Sequence, residues 1–294
     1  MNEAQDLLRV QTYIGKMPAL PVTVTKVIEI CNQPGTSPVD LNKVISVDPV
    51  LMARVMKLIN SAYYGLGDKV TSLSRAIIML GINTVKNLAL STAVVGAIGK
   101  GEPASPLNMQ GFWRHSLGVG VTAKLIARKR SVDPRLIEEY FIAGLLHDIG
   151  KIPMNNVFKE RYLAVLSRAD RERISLADAE RRELGFDHSD VGRQIGTAWN
   201  IGGAVIDAVS AHHDVAGYEG EHRDLVATVH VANYFMNLAE VGFAGDRFPG
   251  TPSQAVYQQL GIGLGLLDEL ETAVDTEIGK AEVFLKVVDD RGGA

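Results

Sequence analysis

The chain has 294 residues, with 30 Lys plus Arg against 34 Asp plus Glu and a formal net charge of −4, a balance that gives no electrostatic footprint for a polyanion and excludes nucleic acid as an expected partner. At 46% apolar and 22% charged residues the composition is that of an ordinary globular chain rather than a disordered one. The single cysteine, Cys31, rules out an intramolecular disulfide and a CxxC zinc site, suits a reducing compartment, and reads as a small buried hydrophobe.

Residues 1–10 mix polar and apolar side chains without an uninterrupted apolar run, unlike a signal peptide. Ser37, Pro38 and Asp40 read as an N-cap, a proline at the first helical position and a first-turn acid, followed by Leu41, Val44 and Ile45 at helical spacing. Asp48 with Pro49 repeats the device ahead of Leu51, Val55, Leu58 and Ile59, and the pattern is lost in the turn-rich stretch 63–69. Ser72 caps another helix, which Gly81 ends, and Asn83 opens the next through Val85, Leu88, Ala89 and Thr92. The weakly polar stretch 88–99 contains Ser91 and Thr92 and falls short of the ~20 residues that a membrane span needs, so no membrane contact is expected and the location is read as cytoplasmic.

Residues 100–110 hold two prolines and no apolar period, and the domain boundary is placed there: a helical subdomain over 1–99, a linker or long loop over 100–110, and a second helical subdomain with a C-terminal extension over 111–294. Within 112–126, His115 shares a face with Val119, Ala123 and Ile126. The basic run 124–130 reads as a last turn complementing the helix dipole. Asp133 and Pro134 are expected to start a helix through Ile137, Phe141, Leu145 and Leu146 that is apolar almost all round, with Gly150 and Pro153 stopping it. Further helix starts fall at Ser175 with Asp178, Asp187 with Asp190, Gly203 and Asp224, and 268–288 carries Leu270, Val274, Ile278, Ala281 and Leu285 as an amphipathic helix. Clear alternating strands and repeats are absent, so the fold class is an all-α, multi-helix bundle.

Five of the seven histidines fall where helical patterning aims them inward or at a helix end. His147 and Asp148 close the most apolar helix, where an unpaired carboxylate would be costly; its partner is a metal ion, Lys151 or another histidine. His212 and His213 close the run Ala204, Val205, Ile206, Ala208 and Val209, and side chains diverging by about 100° are expected to address different partners. His188 follows Asp187 at a helix start, where a solvated cap is an adequate explanation. Asn233 lies on the apolar side of its helix and needs partners, whereas His222 and His230 are read as having no special role. His115, His147, Asp148, His188, His212 and His213 together form an imidazole-plus-carboxylate set that suits iron, manganese, nickel or zinc over calcium. An aspartate beside a ligating histidine also suits the bridging of two ions.

The run Phe141-Ile-Ala-Gly-Leu-Leu-His147-Asp148-Ile-Gly-Lys151 resembles the signature of the HD superfamily of metal-dependent phosphohydrolases. The first half resembles the HDOD family more closely, in Met17-Pro-Ala-Leu-Pro21, Val47-Asp48-Pro49, Ile59-Asn60-Ser61-Ala62-Tyr63-Tyr64-Gly65 and Ala76-Ile-Ile-Met-Leu80-Gly81. The resemblance implies an N-terminal helical subdomain packed on an HD-type helical core, in a regulatory module of bacterial signalling without established catalysis. It implies that His115, His147 and Asp148 match the HD metal ligands, that Lys151 matches the lysine of the HD-GYP phosphodiesterase branch, and that His188, His212 and His213 match that branch's later histidines. Two departures stand out. Asn233 replaces the final aspartate of the HD pattern and is a weaker ligand, and Gly111 stands where the HD-GYP branch has a glutamate.

Three functions remain open on this reading. The first is a signalling module that binds a protein partner or a small signalling ligand, nucleotides included, and retains one or two metal ions, iron or manganese favoured. The second is a phosphohydrolase or cyclic-dinucleotide phosphodiesterase in which Asp148 and Lys151 are catalytic. The third is a structural bundle with satisfied core histidines.

Overall fold

The computed structural model describes residues 3–98, 105–263 and 265–289. The first half contributes α1 (Glu3–Lys16), α2 (Val22–Cys31), α3 (Pro38–Ser46), α4 (Pro49–Ile59), α5 (Leu73–Leu80) and α6 (Ile82–Ile98). Then come α7 (Met109–Lys129), α8 (Ile137–Leu146), α9 (Lys151–Phe158), α10 (Glu160–Glu172), α11 (Leu176–Leu184) and α12 (His188–Ala198). The chain ends with α13 (Ala204–Ala211), α14 (Arg223–Leu238), α15 (Gln254–Leu260), α16 (Gly265–Ala281) and α17 (Val283–Asp289). No strand occurs among the described residues, and the fold is all-α.

Local chemistry accounts for the starts. Ser37 and Asp40 form a reciprocal capping box with Pro38 at the first helical position, Asp48 caps α4, Ser72 caps α5 and Ser175 caps α11. Gly81 ends α5 at φ 87°, and α6 follows at once. Asp133 and Pro134 do not start α8. The Asp133 carboxylate accepts from the Arg135 backbone N–H at 2.9 Å and pairs with its guanidinium, so the cap is spent on a turn and the helix begins at Ile137. Pro153 does not stop a helix either. The chain turns at residues 147–150 and α9 begins at Lys151, which puts Pro153 in a first turn where its missing N–H costs nothing.

The apolar core is continuous from Val10 to Phe284. It is built on α7 and α8, with α14 and α16 packed on α7, and α6, α13 and α14 on α8. The chain ends cross the body: α1 packs on α9 and α12, and α17 returns to α4 and α6. The 268–288 helix is thus two helices, α16 and α17, both held to the body. Residues 99–104, which include the first five of the expected linker, lie outside the described residues. From Ser105 onward the segment is fixed, with the buried Leu107 donating its N–H to Asn155 Oδ1 at 2.8 Å.

Two sequence expectations change on packing. Cys31 is half-buried, and desolvation pushes its thiol up to about 11, partly offset by Lys86. Lys124 does not belong to an exposed last turn: it is buried and ion-paired with Glu138 of α8, while Arg128 and Lys129 occupy the helix end. No single helix among the described residues is long and apolar enough to cross a membrane.

Glycines bring α7 and α8 together. A Cβ on Gly144 would lie 2.7 Å from the Gly120 Cα, and one on Gly120 would lie 2.6 Å from the Phe141 carbonyl oxygen. Gly144→Ala therefore forces the two backbones apart and is expected to lower stability by about 1–3 kcal/mol in urea denaturation. Gly15→Ala, in an exposed helix position with open space for the methyl group, is expected to raise it by roughly 0.5–1 kcal/mol. Equal responses at the two positions would contradict this packing account.

Candidate metal centre

The close α7–α8 contact sets two imidazoles side by side. His115 projects from α7 and His147 caps α8, with ring centroids 5.7 Å apart. Asp148 follows in the turn. α12 reaches this turn because Gly150 has no side chain; a Cβ there would strike the His188 carbonyl. The Asp187–Asp190 capping box fixes the start of α12 and so delivers His188 as its first residue. His212 caps α13 and His213 follows it, their ring centroids 4.1 Å apart.

All of these groups converge on one carboxylate. Asp148 is 0% exposed. Its Oδ2 accepts from Lys151 Nζ at 2.7 Å and lies 3.2 Å from His147 Nε2. Its Oδ1 lies 3.2 Å from His188 Nε2 and 3.7 Å from His212 Nε2. His213 Nε2 is 2.9 Å from His188 Nε2. Two ligand groups therefore share Asp148: His115, His147 and Asp148 on one side, and Asp148, His188, His212 and His213 on the other.

Hydrogen bonds at the far side of each ring decide which nitrogen faces the centre. His147 Nδ1 meets the Gly144 carbonyl at 2.7 Å and His212 Nδ1 meets the Ala208 carbonyl at 3.0 Å. A carbonyl only accepts, so both Nδ1 atoms carry the proton and both Nε2 atoms present a lone pair. His188 Nδ1 meets Glu180 Oε2 at 2.6 Å, which orients that ring the same way. The lone pairs of His147 and His212 thus face carboxylate oxygens, an arrangement that is repulsive until a cation or proton lies between them. Consistent with this, His147 Nε2, His212 Nε2 and Asp148 Oδ1 are buried without a hydrogen-bond partner. The donor set fits a borderline transition metal.

Charge states follow from burial. Desolvation holds His115 down to about 3 and His212 down to about 4, against the pull of Asp148. His213 is likewise held well below the usual range by burial, with His212 and His188 adding to it. At His188 burial acts in the same direction, but the Glu180 carboxylate, with Asp148, outweighs it and holds the ring up to about 9. Burial works to raise Asp148, yet His147 and Lys151 keep it well below the ordinary carboxylate range.

The sequence model of the HDOD domain matches residues 17–215. The chain belongs to the HDOD family. An uncharacterized protein of Treponema pallidum (strain Nichols) is 26% identical over 222 residues, covering 75% of this chain and 42% of its own length, so the chain spans under half of that relative. The crystal structure of an HDOD domain protein with unknown function from Geobacter sulfurreducens superposes with a TM-score of 0.75 at 25% identity, over 96% of this chain and 99% of that one. A candidate phosphohydrolase from Shewanella amazonensis SB2B shares the fold, with a TM-score of 0.69 at 22% identity over 95% and 98% of the two chains.

Within this HDOD fold the six residues singled out as ligands lie together, and two expectations about them change. His188 is fully buried rather than a solvated cap. His212 and His213 do not serve separate regions: α13 ends at Ala211, helical divergence no longer applies, and both rings enter one cluster. Asn233 is at the centre but committed, its Oδ1 accepting from His115 Nε2 at 3.0 Å and from Asn237 Nδ2 at 2.8 Å. At Gly111 the space is filled by the 241–243 loop, where Phe243 N–H donates to the Gly111 carbonyl at 3.0 Å. His222 pairs with Asp207 away from the cluster, and His230 donates to the His212 carbonyl at 2.8 Å.

Three residues were missed. Glu180 is fully buried and accepts from both the backbone N–H and Nδ1 of His188, while Tyr162 donates to its other oxygen at 2.7 Å. An acid on the same helical stripe as Leu176 and Leu184 was the available signal for Glu180. Asp246, buried beside Lys151 with its carboxyl pushed up by desolvation, lies in a loop with no periodic signal. Because Glu180 orients His188, Glu180→Gln is expected to weaken divalent-ion affinity roughly 10- to 100-fold with the helical fold retained. Calorimetric titration with manganese and circular dichroism read the two effects, and unchanged affinity would remove Glu180 from the account.

Proposed function

We propose that this HDOD protein is a regulatory module of signal transduction in the cytoplasm, acting by binding a protein partner or a small signalling ligand, nucleotides included. In this reading its His/Asp centre retains one or two transition-metal ions, iron or manganese favoured, as a structural or sensing element. His115, His147, His188, His212, His213 and Asp148 would hold the ion. The chemistry supplied there is a local positive charge that ties α7, α8, α12 and α13 together.

The observation that carries this reading over a hydrolytic one is the commitment of Lys151. It is 2% exposed, and its ammonium is bonded to Asp148 Oδ2 and, at 3.1 Å, to the Ala244 carbonyl. A lysine held this way is not presented to a phosphoryl group. Gly111 supplies no carboxylate and the Asn233 oxygen is occupied by two donors, so the centre is poorer in negative charge than a phosphohydrolase site needs.

One observation favours the second reading, a metal-dependent phosphohydrolase or cyclic-dinucleotide phosphodiesterase. The two ligand groups share Asp148, the arrangement suited to bridging two ions. In that case Asp148 and Lys151 would be the catalytic residues.

Metal analysis after chelator-free purification separates these readings. The expected result is a near-stoichiometric transition metal that is lost in His147→Ala and in Asp148→Asn. Chelation is expected to lower stability by about 2.7 kcal/mol for an ion present at 100 times its Kd. The metal-loaded protein is expected not to turn over a panel of phosphomonoesters, nucleotides and cyclic dinucleotides. Turnover at about 1 s⁻¹ or faster that disappears in His147→Ala would establish the hydrolase instead. A metal-free protein indifferent to chelator would refute both and leave a structural bundle.

A further inference from the structure

The first half of the chain meets the histidine-bearing half along a second seam. Here α2 and α6 face the loop 201–203 and the start of α13, and a cavity of about 360 Å³ lies between them, within the size range of small-molecule sites. Ile28, Leu90 and Ile201 give it apolar walls. His212 caps α13 at its opposite end, about 12 Å along the helix axis, so the cavity is separate from the Asp148 centre.

The polar groups of the cavity are mostly donors. Asn87 lines it and is 1% exposed, and its side-chain Nδ2 is buried with no hydrogen-bond partner. A buried amide donor in that state is costly unless something accepts from it. The second donor group is the first turn of α13. Gly203, at φ 64°, is its N-cap and has no side chain to offer the N–H groups that follow. The acid of that turn, Asp207, is engaged elsewhere: its Oδ2 accepts from the Tyr218 hydroxyl at 2.6 Å and from His222 Nδ1 at 2.7 Å. Lys86 and Glu139 also line the cavity and balance each other, with Nζ 3.6 Å from Oε1.

These groups select the occupant. A cation would face the positive pole of a helix and an amide donor, with the Glu139 carboxylate already paired. A wholly apolar ligand would leave the donors unsatisfied. A dianion such as a phosphate monoester fits poorly, because the unbalanced positive charge here is the helix pole, about half an elementary charge, and a second negative charge would lie beside Glu139. What remains is a group with one negative charge and two acceptor oxygens on an apolar body. We propose that this cavity binds a small monocarboxylate, its carboxylate between Asn87 Nδ2 and the first turn of α13 and its apolar body against Ile28, Leu90 and Ile201. The proposal deepens the regulatory-module reading, on which it rests for the expectation of a small ligand, and places that ligand between the two halves of the chain.

Calorimetric titration of the full chain with hexanoate, benzoate, the two corresponding amides and inorganic phosphate tests it. At least one of the carboxylates is expected to bind saturably at one per chain. Its amide, which carries no charge, is expected to bind about tenfold more weakly or worse. Asn87→Leu replaces the amide donor with an apolar group of similar size and is expected to weaken the carboxylate about tenfold or more. Gly202→Asp sets a negative charge ahead of α13, at an exposed position with open space for a side chain. It is expected to weaken the carboxylate about tenfold, with circular dichroism and metal content unchanged. If Asn87→Leu does not fold, Gly202→Asp decides alone. Absence of saturable binding of either carboxylate at about 10 mM overturns the proposal. So does an amide or inorganic phosphate binding as well as the carboxylate, or binding indifferent to the folded variants. Failure in a protein that retains its metal rejects this cavity and leaves the regulatory reading standing, whereas carboxylate binding by a metal-free protein supports the cavity and rejects the metal reading.

Discussion

A carboxylate without solvent exposure has to be compensated on every side, and Asp148 sets that demand for the whole centre of this protein. Lys151 answers part of it through Oδ2. Oδ1 is met by His212 Nε2, which presents a lone pair because Nδ1 holds its proton against the Ala208 carbonyl, and by His188 Nε2, which carries a proton while Glu180 keeps that ring charged. The helices that carry these rings, α8, α12 and α13, are therefore tied to one small volume whose electrostatics is unfinished without a positive charge. Without an ion, that charge is the proton on His188, which Glu180 holds in place. A bound ion and this proton would compete for the same space.

The charge count also bears on how many ions the centre accommodates. Asp148 and Glu180 are the carboxylates committed to it, and Lys151 cancels one of them. With neutral imidazoles these groups leave a net charge of −1, which one divalent ion would turn to +1. A second would raise that positive excess among buried groups, and the two positions where a further acid would help are filled by Gly111 and Asn233. Sharing of Asp148 by two ligand groups would suit a pair of ions in geometry, at a higher electrostatic cost than a single one.

Much of this was legible in the sequence because the same residues solve local and tertiary problems. Ser37 with Asp40 and Asp187 with Asp190 announce helix starts through their own backbone hydrogen bonds, and both capping boxes form. His147, His212 and His213 stood out because they close apolar runs, and His115 because it shares an apolar face, and those runs are the core. What escaped notice depended on contacts distant in sequence. His188 follows a cap and reads as exposed until Gly150 lets the 147–150 turn come up against it. Lys124 reads as one member of a basic run, but it sits one turn after Gly120 on the face that packs on α8, which separates it from Lys129. Asp133 resembled a helix cap because turns and caps use the same side-chain chemistry, and only the Arg135 contact tells them apart.

The α7–α8 pair joins these observations. Its two strands of side chains meet at His115 with His147 at one end and at Lys124 with Glu138 at the other. Between the ends the helices touch backbone to backbone at Gly120 and Gly144, where no flexible side chain is available to absorb a displacement. A change in helix spacing imposed by charge at the histidine end must therefore be taken up at the Lys124–Glu138 end or resisted by it, since well-packed interiors transmit strain rather than dissipate it. Were ligands at the two ends to prefer different spacings, each would alter the other's affinity by the same factor, because coupling free energy is reciprocal.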